Sequence, residues 1–163
     1  MNRYLFLLRH AEAGPEGAGA DIERTLTERG LKSIDFIGDG LRSRGERVQR
    51  IYSSTARRAM QTARAISPFI GYAERDIVQR PELYLASPGD LLAFLYELPV
   101  ECESLLLVGH NPGLQGLLRF LATPESLPQD SSMATATIAR LEIPERWDTL
   151  QPQCARLVYL LKP

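Results

Sequence analysis

The sequence predicts an α/β fold, a three-layer helix–sheet–helix sandwich whose central sheet is mainly parallel with an antiparallel edge. Two strand-like apolar runs, Tyr4–Leu8 and Ser104–Val108, suit strands that are covered on both faces. Helical patterns alternate with strand-like segments along the chain, and this order favours a parallel sheet with helices on both sides. The last two apolar segments, Thr135–Ile143 and Ala155–Leu161, are joined by a turn and predict the antiparallel edge.

The length of 163 residues fits one domain that can bury a core without disulfides or metals, so we predict a single domain over residues 1–163. A formal net charge of −1 gives no general attraction to nucleic acid or to membrane surfaces. No stretch approaches the roughly 18 apolar residues of a membrane span. Cys102 and Cys154 form no metal-binding or redox spacing, so we expect a reducing, cytoplasmic setting.

Four helices are predicted by a start signal followed by apolar residues at helical spacing. The start signals are Thr27, Ser53–Ser54, Ser87–Pro88 and Pro112–Gly113. The apolar residues expected to face the core are Leu31, Ile34, Ile37 and Leu41, then Ala59, Ala63, Ile66 and Ile70, then Leu91, Leu95 and Leu98, and finally Leu114, Leu117, Leu118 and Leu121. Arg50–Tyr52 and Ile77–Val78 are interpreted as short strands between them.

The segment Gly14–Gly19 is rich in glycine but lacks the Gly-Lys-Ser/Thr ending of a phosphate-binding loop. We interpret it as a mobile connection between the first strand and the first helix.

The chain contains only two histidines, and each comes just after a strand-like apolar run. Arg9 and His10 follow the first run, and His110 follows the second, immediately before Asn111. Ligands in such sheets bind beyond the carboxyl ends of the strands, so we expect the two histidines to share a pocket. Arg58 falls in the first turns of the second helix and is a second candidate cation for that pocket.

Histidines and arginines at strand and helix ends suit phosphoryl transfer, because the phosphoryl group carries roughly −1.5 to −2 charges and is bound well by planar, charged donors. A neutral imidazole can attack phosphorus and form a covalent phosphohistidine. On chemistry alone either histidine could be the nucleophile. The other would bind the equatorial oxygens, assisted by amides at the start of the fourth helix. Neither role requires a metal or another cofactor.

Four segments, in this order, resemble motifs of the histidine phosphatase superfamily, also called phosphoglycerate mutase-like, and in particular its SixA-type phosphohistidine phosphatases. The segments are Leu8–Ala13, Asp21–Gly30, Ser53–Ala63 and Val108–Pro112. Ala11 stands where many members have glycine and SixA-type members often have alanine, and Thr55 replaces a frequent proline.

The resemblance implies a phosphoglycerate mutase-like fold, a nucleophile at His10 and a phosphate-binding partner at His110. It also implies phosphate contacts from Arg9 and Arg58. The predicted phosphate-binding set is completed by Asp21, Arg24 and Asn111.

The proton donor is left open between two carboxylates. Glu82, in Pro81–Tyr84, stands roughly where larger family members have their acid, and Asp21 is its competitor. A phosphohistidine substrate needs less help from an acid, because its leaving imidazole has a pKa near roughly 6.5, far below that of an alcohol. Weak acid machinery would therefore favour a phosphoramidate over a sugar phosphate.

Short connections at Gly71–Pro88 and Ala122–Ser132 imply an open site without the large cap insertion of bigger relatives. Such a site would admit a phosphohistidine presented by another protein, such as a phosphotransfer domain, and would bind phosphate or related oxyanions. The expected activity is therefore a protein phosphohistidine phosphatase. The alternatives are a small-molecule phosphomonoester phosphatase of the same mechanism and a phosphate-binding module without turnover. A zinc site built from the two histidines and two cysteines lacks the usual ligand spacing.

Overall fold

Six strands and four α-helices build the fold in the described parts of the chain, which are residues 1–15, 19–144 and 146–163 of the computed structural model. The strands are β1 (Arg3–Arg9), β2 (Arg50–Ser53), β3 (Val78–Gln79), β4 (Ser104–Gly109), β5 (Ile138–Ile143) and β6 (Arg156–Leu161). The helices are α1 (Glu28–Ser43), α2 (Arg57–Ile66), α3 (Pro88–Tyr96) and α4 (Gly113–Leu121). The expected mobile connection at Gly14–Gly19 rests mainly on residues 16–18, which lie outside the described residues.

The strands form one sheet in the order β3–β2–β4–β1–β5–β6. The pairs β3–β2, β2–β4 and β4–β1 are parallel, whereas β5 runs antiparallel to β1 and β6 antiparallel to β5. This arrangement confirms the predicted α/β fold with a mainly parallel centre and an antiparallel edge. In the β1–β4 register Arg9 lies opposite Gly109, so the residues that follow each strand emerge at the same edge.

Strand β1 supplies residues to the cores on both faces of the sheet. Leu5 and Leu7 pack in the core that contains α3 and α4, and Phe6 and Leu8 pack in the core that contains α1 and α2. All four side chains are almost completely buried, each stabilising the fold by roughly 1.5–3 kcal/mol through its removal from water. The strand is thus covered on both faces, as its unbroken apolar sequence predicts.

Helix α1 follows its sequence signals, with one exception. The Thr27 hydroxyl accepts a hydrogen bond from the amide of Gly30 at 3.0 Å, and Ile34, Ile37 and Leu41 are buried. Leu31 was expected to face the core, but this expectation is wrong, because its side chain is 47% exposed. The buried Gly30 occupies the inner position of the first turn and leaves Leu31 on the outer face.

Helix α2 begins later than its serines suggest. Its N-cap is Ala56, and Ser54 instead accepts a hydrogen bond from the Ala56 amide at 3.1 Å.

Helix α3 starts with a capping box between Ser87 and Asp90, as its sequence indicates. In α4 the expected core residues Leu114, Leu117, Leu118 and Leu121 are all fully buried. No helix in the described ranges is both long and apolar enough to cross a membrane.

Candidate active site

A cavity of about 580 Å³ lies at the carboxyl ends of β1 and β4. Among the residues that line it are Arg9, His10, Asp21, Arg24, Arg58, His110 and Asn111. The structure therefore brings together every predicted site residue except Glu82. Residues from distant parts of the sequence meet here because β1 and β4 are neighbours and α2 begins beside them.

His10 is held in one tautomer by the backbone. Its Nδ1 lies 2.8 Å from the carbonyl oxygen of Ala11, and because a carbonyl only accepts, Nδ1 carries the proton. Nε2 therefore carries the lone pair, which accepts a hydrogen bond from Nε of Arg58 at 3.4 Å. Burial lowers the pKa of His10 to about 4; the Ala11 hydrogen bond opposes this shift, and the charges of nearby arginines reinforce it. His10 is therefore an uncharged base at neutral pH.

His110 lies beside His10, with 5.2 Å between the ring centroids. Its Nε2 is 2.7 Å from Oγ of Ser54, and its Nδ1 is 3.4 Å from Nη2 of Arg58. Burial lowers its pKa to about 3, helped by repulsion from His10 and Arg58. This ring is therefore also neutral at pH 7, and its Nδ1 side faces the guanidinium.

Arg58 is buried in the first turn of α2 and is oriented by Asp21. Nη1 donates to the backbone carbonyl of Asp21 at 2.9 Å, and Nη2 donates to its Oδ2 at 3.1 Å. Asp21 also accepts a hydrogen bond from the Tyr84 hydroxyl at 2.5 Å and one from Arg24 at 3.1 Å. The Tyr84 hydrogen bond, followed by those of the two arginines, lowers the pKa of Asp21 to about 2. Asp21 is thus held as a carboxylate that orients the guanidinium.

Arg9 and Asn111 share one acceptor, the carbonyl oxygen of Met133, at 3.1 and 2.7 Å. Nε of Arg9 is buried and has no hydrogen-bond partner among the described residues. Buried donors are normally paired, so an anion in the cavity would supply a missing acceptor. Two amides at the start of α4 are used within the protein, since Leu114 donates to the His110 carbonyl and Gln115 donates to Oδ1 of Asn111. These two amides are therefore not available to an anion in the pocket.

Glu82 lies outside this cavity. The 3₁₀ turn Pro81–Leu83 buries Leu83 and places Tyr84 at the pocket, so Glu82 faces solvent instead. There it forms an ion pair with Arg80, which lowers its pKa, and it lines a separate depression next to α3. The structure does not support a direct role for Glu82 as the acid.

Tyr84 and Ser54 contact predicted site residues but were not anticipated. Tyr84 contacts Asp21 through its hydroxyl and packs edge-on against His110, with centroids 5.6 Å apart. Ser54 was interpreted as a helix cap, yet it touches His110. The sequence offered only a weak signal for each, an aromatic residue after a short strand and a serine before a helix.

The described residues contain no group of three or more histidines, cysteines, aspartates or glutamates that could hold a metal ion. Cys102 is buried in the core formed with α3 and α4, away from the histidines. The pocket instead combines two neutral imidazoles with three guanidinium groups and two carboxylates, Glu12 and Asp21, which accept hydrogen bonds from neighbouring residues. Such a site can bind a tetrahedral oxyanion and present a nitrogen nucleophile to it.

Comparisons with known proteins agree with this chemistry. A sequence model of the histidine phosphatase superfamily (branch 1) matches residues 5–90, which is more than half of the chain. Uncharacterized protein Rv1276c of Mycobacterium tuberculosis is 32% identical over 161 residues, covering 93% of this chain and 96% of that protein.

Solved structures show the same relationship. A candidate phosphohistidine phosphatase SixA from Nakamurella multipartitia superposes with a TM-score of 0.84, at 28% identity, over 100% of this chain and 97% of the other. The protein histidine phosphatase SixA in complex with tungstate gives a TM-score of 0.81 over 98% and 97% of the two chains; at 23% identity this is a likeness of fold. The resemblance seen in the four sequence segments is confirmed. The chain belongs to the histidine phosphatase superfamily, branch 1, and is a phosphatase of the SixA type.

Proposed function

We propose that the protein removes the phosphoryl group from phosphohistidine on a protein substrate, through a covalent phosphohistidine at His10. The observation that carries this proposal is the state of the His10 ring. The Ala11 carbonyl holds the proton on Nδ1, and the lowered pKa of about 4 keeps Nε2 unprotonated at neutral pH. A nucleophile in this state needs no separate base to activate it.

The reaction proceeds in two displacements. In the first, Nε2 of His10 forms a bond to phosphorus while the bond from phosphorus to the substrate imidazole breaks, and the released imidazole takes a proton from water. In the second, water attacks the phosphoryl group on His10, releasing inorganic phosphate and restoring the free ring. Arg9, Arg58 and His110 stabilise the negative charge on the equatorial oxygens in both steps.

The carboxylates of the pocket favour a phosphoramidate substrate. Asp21 is held ionised, and Glu12 accepts hydrogen bonds from Thr27 and Arg29. Neither is poised to protonate an alkoxide, whose basicity makes general acid catalysis worth roughly 10²–10⁴-fold. An imidazole leaving group, with a pKa near roughly 6.5, departs without that help.

The surroundings of the pocket favour a macromolecular substrate. We propose that the chain works as a single domain with no large cap over the site. Leu85, 57% exposed, lies at the pocket wall and offers apolar surface to an approaching protein. The names of the similar SixA structures support the same substrate class, and a phosphotransfer domain that carries phosphohistidine is the expected partner.

A substrate panel tests this proposal. Time courses with a phosphohistidine protein, a phosphoserine peptide and small phosphoesters should give the highest kcat/KM for phosphohistidine, with no loss on adding a chelator. Rapid quenching should trap a phosphoenzyme that is labile to acid and stable to base. His10→Asn should abolish both labelling and turnover, whereas the control His110→Asn should slow turnover but still label His10.

The panel also separates the alternatives. Faster turnover of a small phosphoester would replace the protein substrate with a small molecule. If the protein binds oxyanions but turns over none of the compounds, it is a phosphate-binding module and not an enzyme.

A further inference from the structure

We propose that Ser54 is a positioning residue that lets His110 change tautomer, so that this ring turns from a hydrogen-bond acceptor into a donor when an oxyanion enters the pocket. The inference rests on the proposed function, because it assumes that His110 binds the oxygens of the phosphoryl group.

Ser54 is placed with little freedom. It follows β2, its amide donates to the carbonyl of Val108 in β4 at 3.0 Å, and its side chain is fully buried. Its Oγ accepts from the Ala56 amide at 3.1 Å and lies 2.7 Å from Nε2 of His110. A hydroxyl has one proton and two lone pairs, so after the bond from Ala56 it can still either accept from Nε2 or donate to it.

In the free pocket the neighbours of His110 select one tautomer. Nη2 of Arg58, 3.4 Å from Nδ1, can only donate, which leaves Nδ1 as the acceptor. The proton is then on Nε2, where Ser54 accepts it. In this state Nδ1 accepts from Arg58 and has no proton to donate to the oxygens of a bound phosphoryl group.

A bound oxyanion reverses the requirement at both nitrogens. Nδ1, the nitrogen that faces Arg58, must carry a proton to donate to an anionic oxygen. Nε2 must then accept a hydrogen bond. Water takes up the Nε2 proton and supplies the new proton at Nδ1, so the charge of the ring does not change. The Ser54 hydroxyl rotates and donates to Nε2. A ring protonated at both nitrogens could also donate from Nδ1. Burial disfavours this charged form, because it lowers the pKa of His110 to about 3.

The presence of only two histidines makes this switch directly measurable. In protein labelled with ¹⁵N-histidine, long-range ¹H–¹⁵N spectra report the tautomer of each ring, and His10→Asn assigns the two sets of signals. Free wild-type protein should show His110 protonated at Nε2 and His10 at Nδ1. Saturating tungstate should move the His110 proton to Nδ1 and leave the His10 tautomer unchanged.

Ser54→Ala removes the hydroxyl that serves both tautomers. This variant should lose the complete switch, bind tungstate roughly tenfold more weakly and show a roughly tenfold lower kcat, the expected effect of one hydrogen bond. Ser53→Ala is the matched control, because Ser53 is also fully buried but its Oγ bonds to the Ser54 carbonyl at 3.0 Å and touches neither histidine. It should switch like the wild type.

The wild-type spectra alone can overturn the proposal if the Ser54→Ala protein does not fold. A His110 ring that keeps its Nε2 proton in saturating tungstate would refute the switch, as would a complete switch in Ser54→Ala. A switch without hydrolysis of phosphohistidine would support the role of Ser54 and reject the proposed substrate. Hydrolysis of phosphohistidine without a tautomer switch would support the proposed substrate and reject the role of Ser54.

Discussion

Asp21 shows how one carboxylate can organise a cationic pocket. It binds both Nη atoms of Arg58, one through its backbone carbonyl and one through its side chain, and it also holds Arg24 and Tyr84. With a pKa of about 2 it is ionised at neutral pH. We therefore expect its contribution to catalysis to be the orientation of the Arg58 guanidinium.

We expect Asp21→Asn to raise KM and weaken oxyanion binding roughly 10–100-fold, because it removes charge-assisted hydrogen bonds from Arg58. The dependence of kcat/KM on leaving-group pKa should stay unchanged. Glu82→Gln is the control and should change turnover less than about twofold, since the wild-type side chain faces solvent. Rates with a series of aryl and alkyl phosphates measure this, and a steeper dependence in Glu82→Gln would restore its role as the acid.

The pocket could be predicted from sequence where residues follow strand ends, as Arg9, His10 and His110 do. Their proposed roles stay predictions until variants are measured. Tyr84 could not be found in this way, because it reaches Asp21 through tertiary packing, and Ser54 follows β2 but has a side chain that fits a helix cap equally well. Tyr84 is 63 residues from Asp21, and Ser54 is 56 residues from His110.

Helix α1 docks directly against the segment that follows His10. A Cβ atom at Gly30 would lie 2.3 Å from the carbonyl oxygen of Glu12, a backbone atom that also accepts from the Thr27 amide at 2.9 Å. Contact this close leaves no room for a side chain. The absence of one at Gly30 is therefore what allows the start of α1 to support a wall of the pocket.

Gly30→Ala should destabilise the fold by about 1–3 kcal/mol, because neighbouring backbone must shift, and it should lower turnover by displacing Glu12. Gly89→Ala is a matched control in the first turn of α3, where the nearest atom to a new Cβ is Oγ of Ser87 at 3.8 Å. It should be neutral or stabilising by at most about 1 kcal/mol. Urea unfolding compares the two, and equal effects would contradict the close-packing argument.

The elements themselves follow the apolar spacing closely, and the departures have local causes. Leu31 fits the helical repeat but is displaced outward because Gly30 takes the inner position. Ser54 has the side chain of a helix cap, but it is used beside His110 and α2 starts two residues further on, after Ala56. Periodicity identifies a helix, whereas its first turn depends on contacts that only the fold supplies.

The whole molecule should lose stability as the pH falls, because two neutral histidines are buried. Their folded-state pKa values of about 4 and about 3 lie below the unfolded value near roughly 6.5. Between these values the unfolded chain binds more protons than the folded one, so stability rises with pH across this window and is lost on acidification. Asp21 adds a similar loss only at lower pH, below its unfolded pKa of 3.8.

Each histidine should contribute a slope of up to about 1.4 kcal/mol per pH unit between roughly pH 6.5 and pH 4. His110→Asn should remove one of the two contributions and so reduce the slope by about half. Urea unfolding curves recorded from pH 7.5 to 4.5 measure both proteins. A wild-type stability that stays flat from pH 7 to 5 would mean that the rings are protonated in the folded state.

Strand β1, with a partner strand on each side and a hydrophobic core against each face, has a kinetic consequence for His10. Its amide protons can exchange with solvent only when the sheet and both helical layers open together. His10 directly follows this segment, and its own amide donates to the Gly109 carbonyl at 3.0 Å. We therefore expect His10 to be attached to a slowly exchanging part of the molecule. Heat should therefore inactivate the enzyme by global unfolding and not by local fraying of its active site.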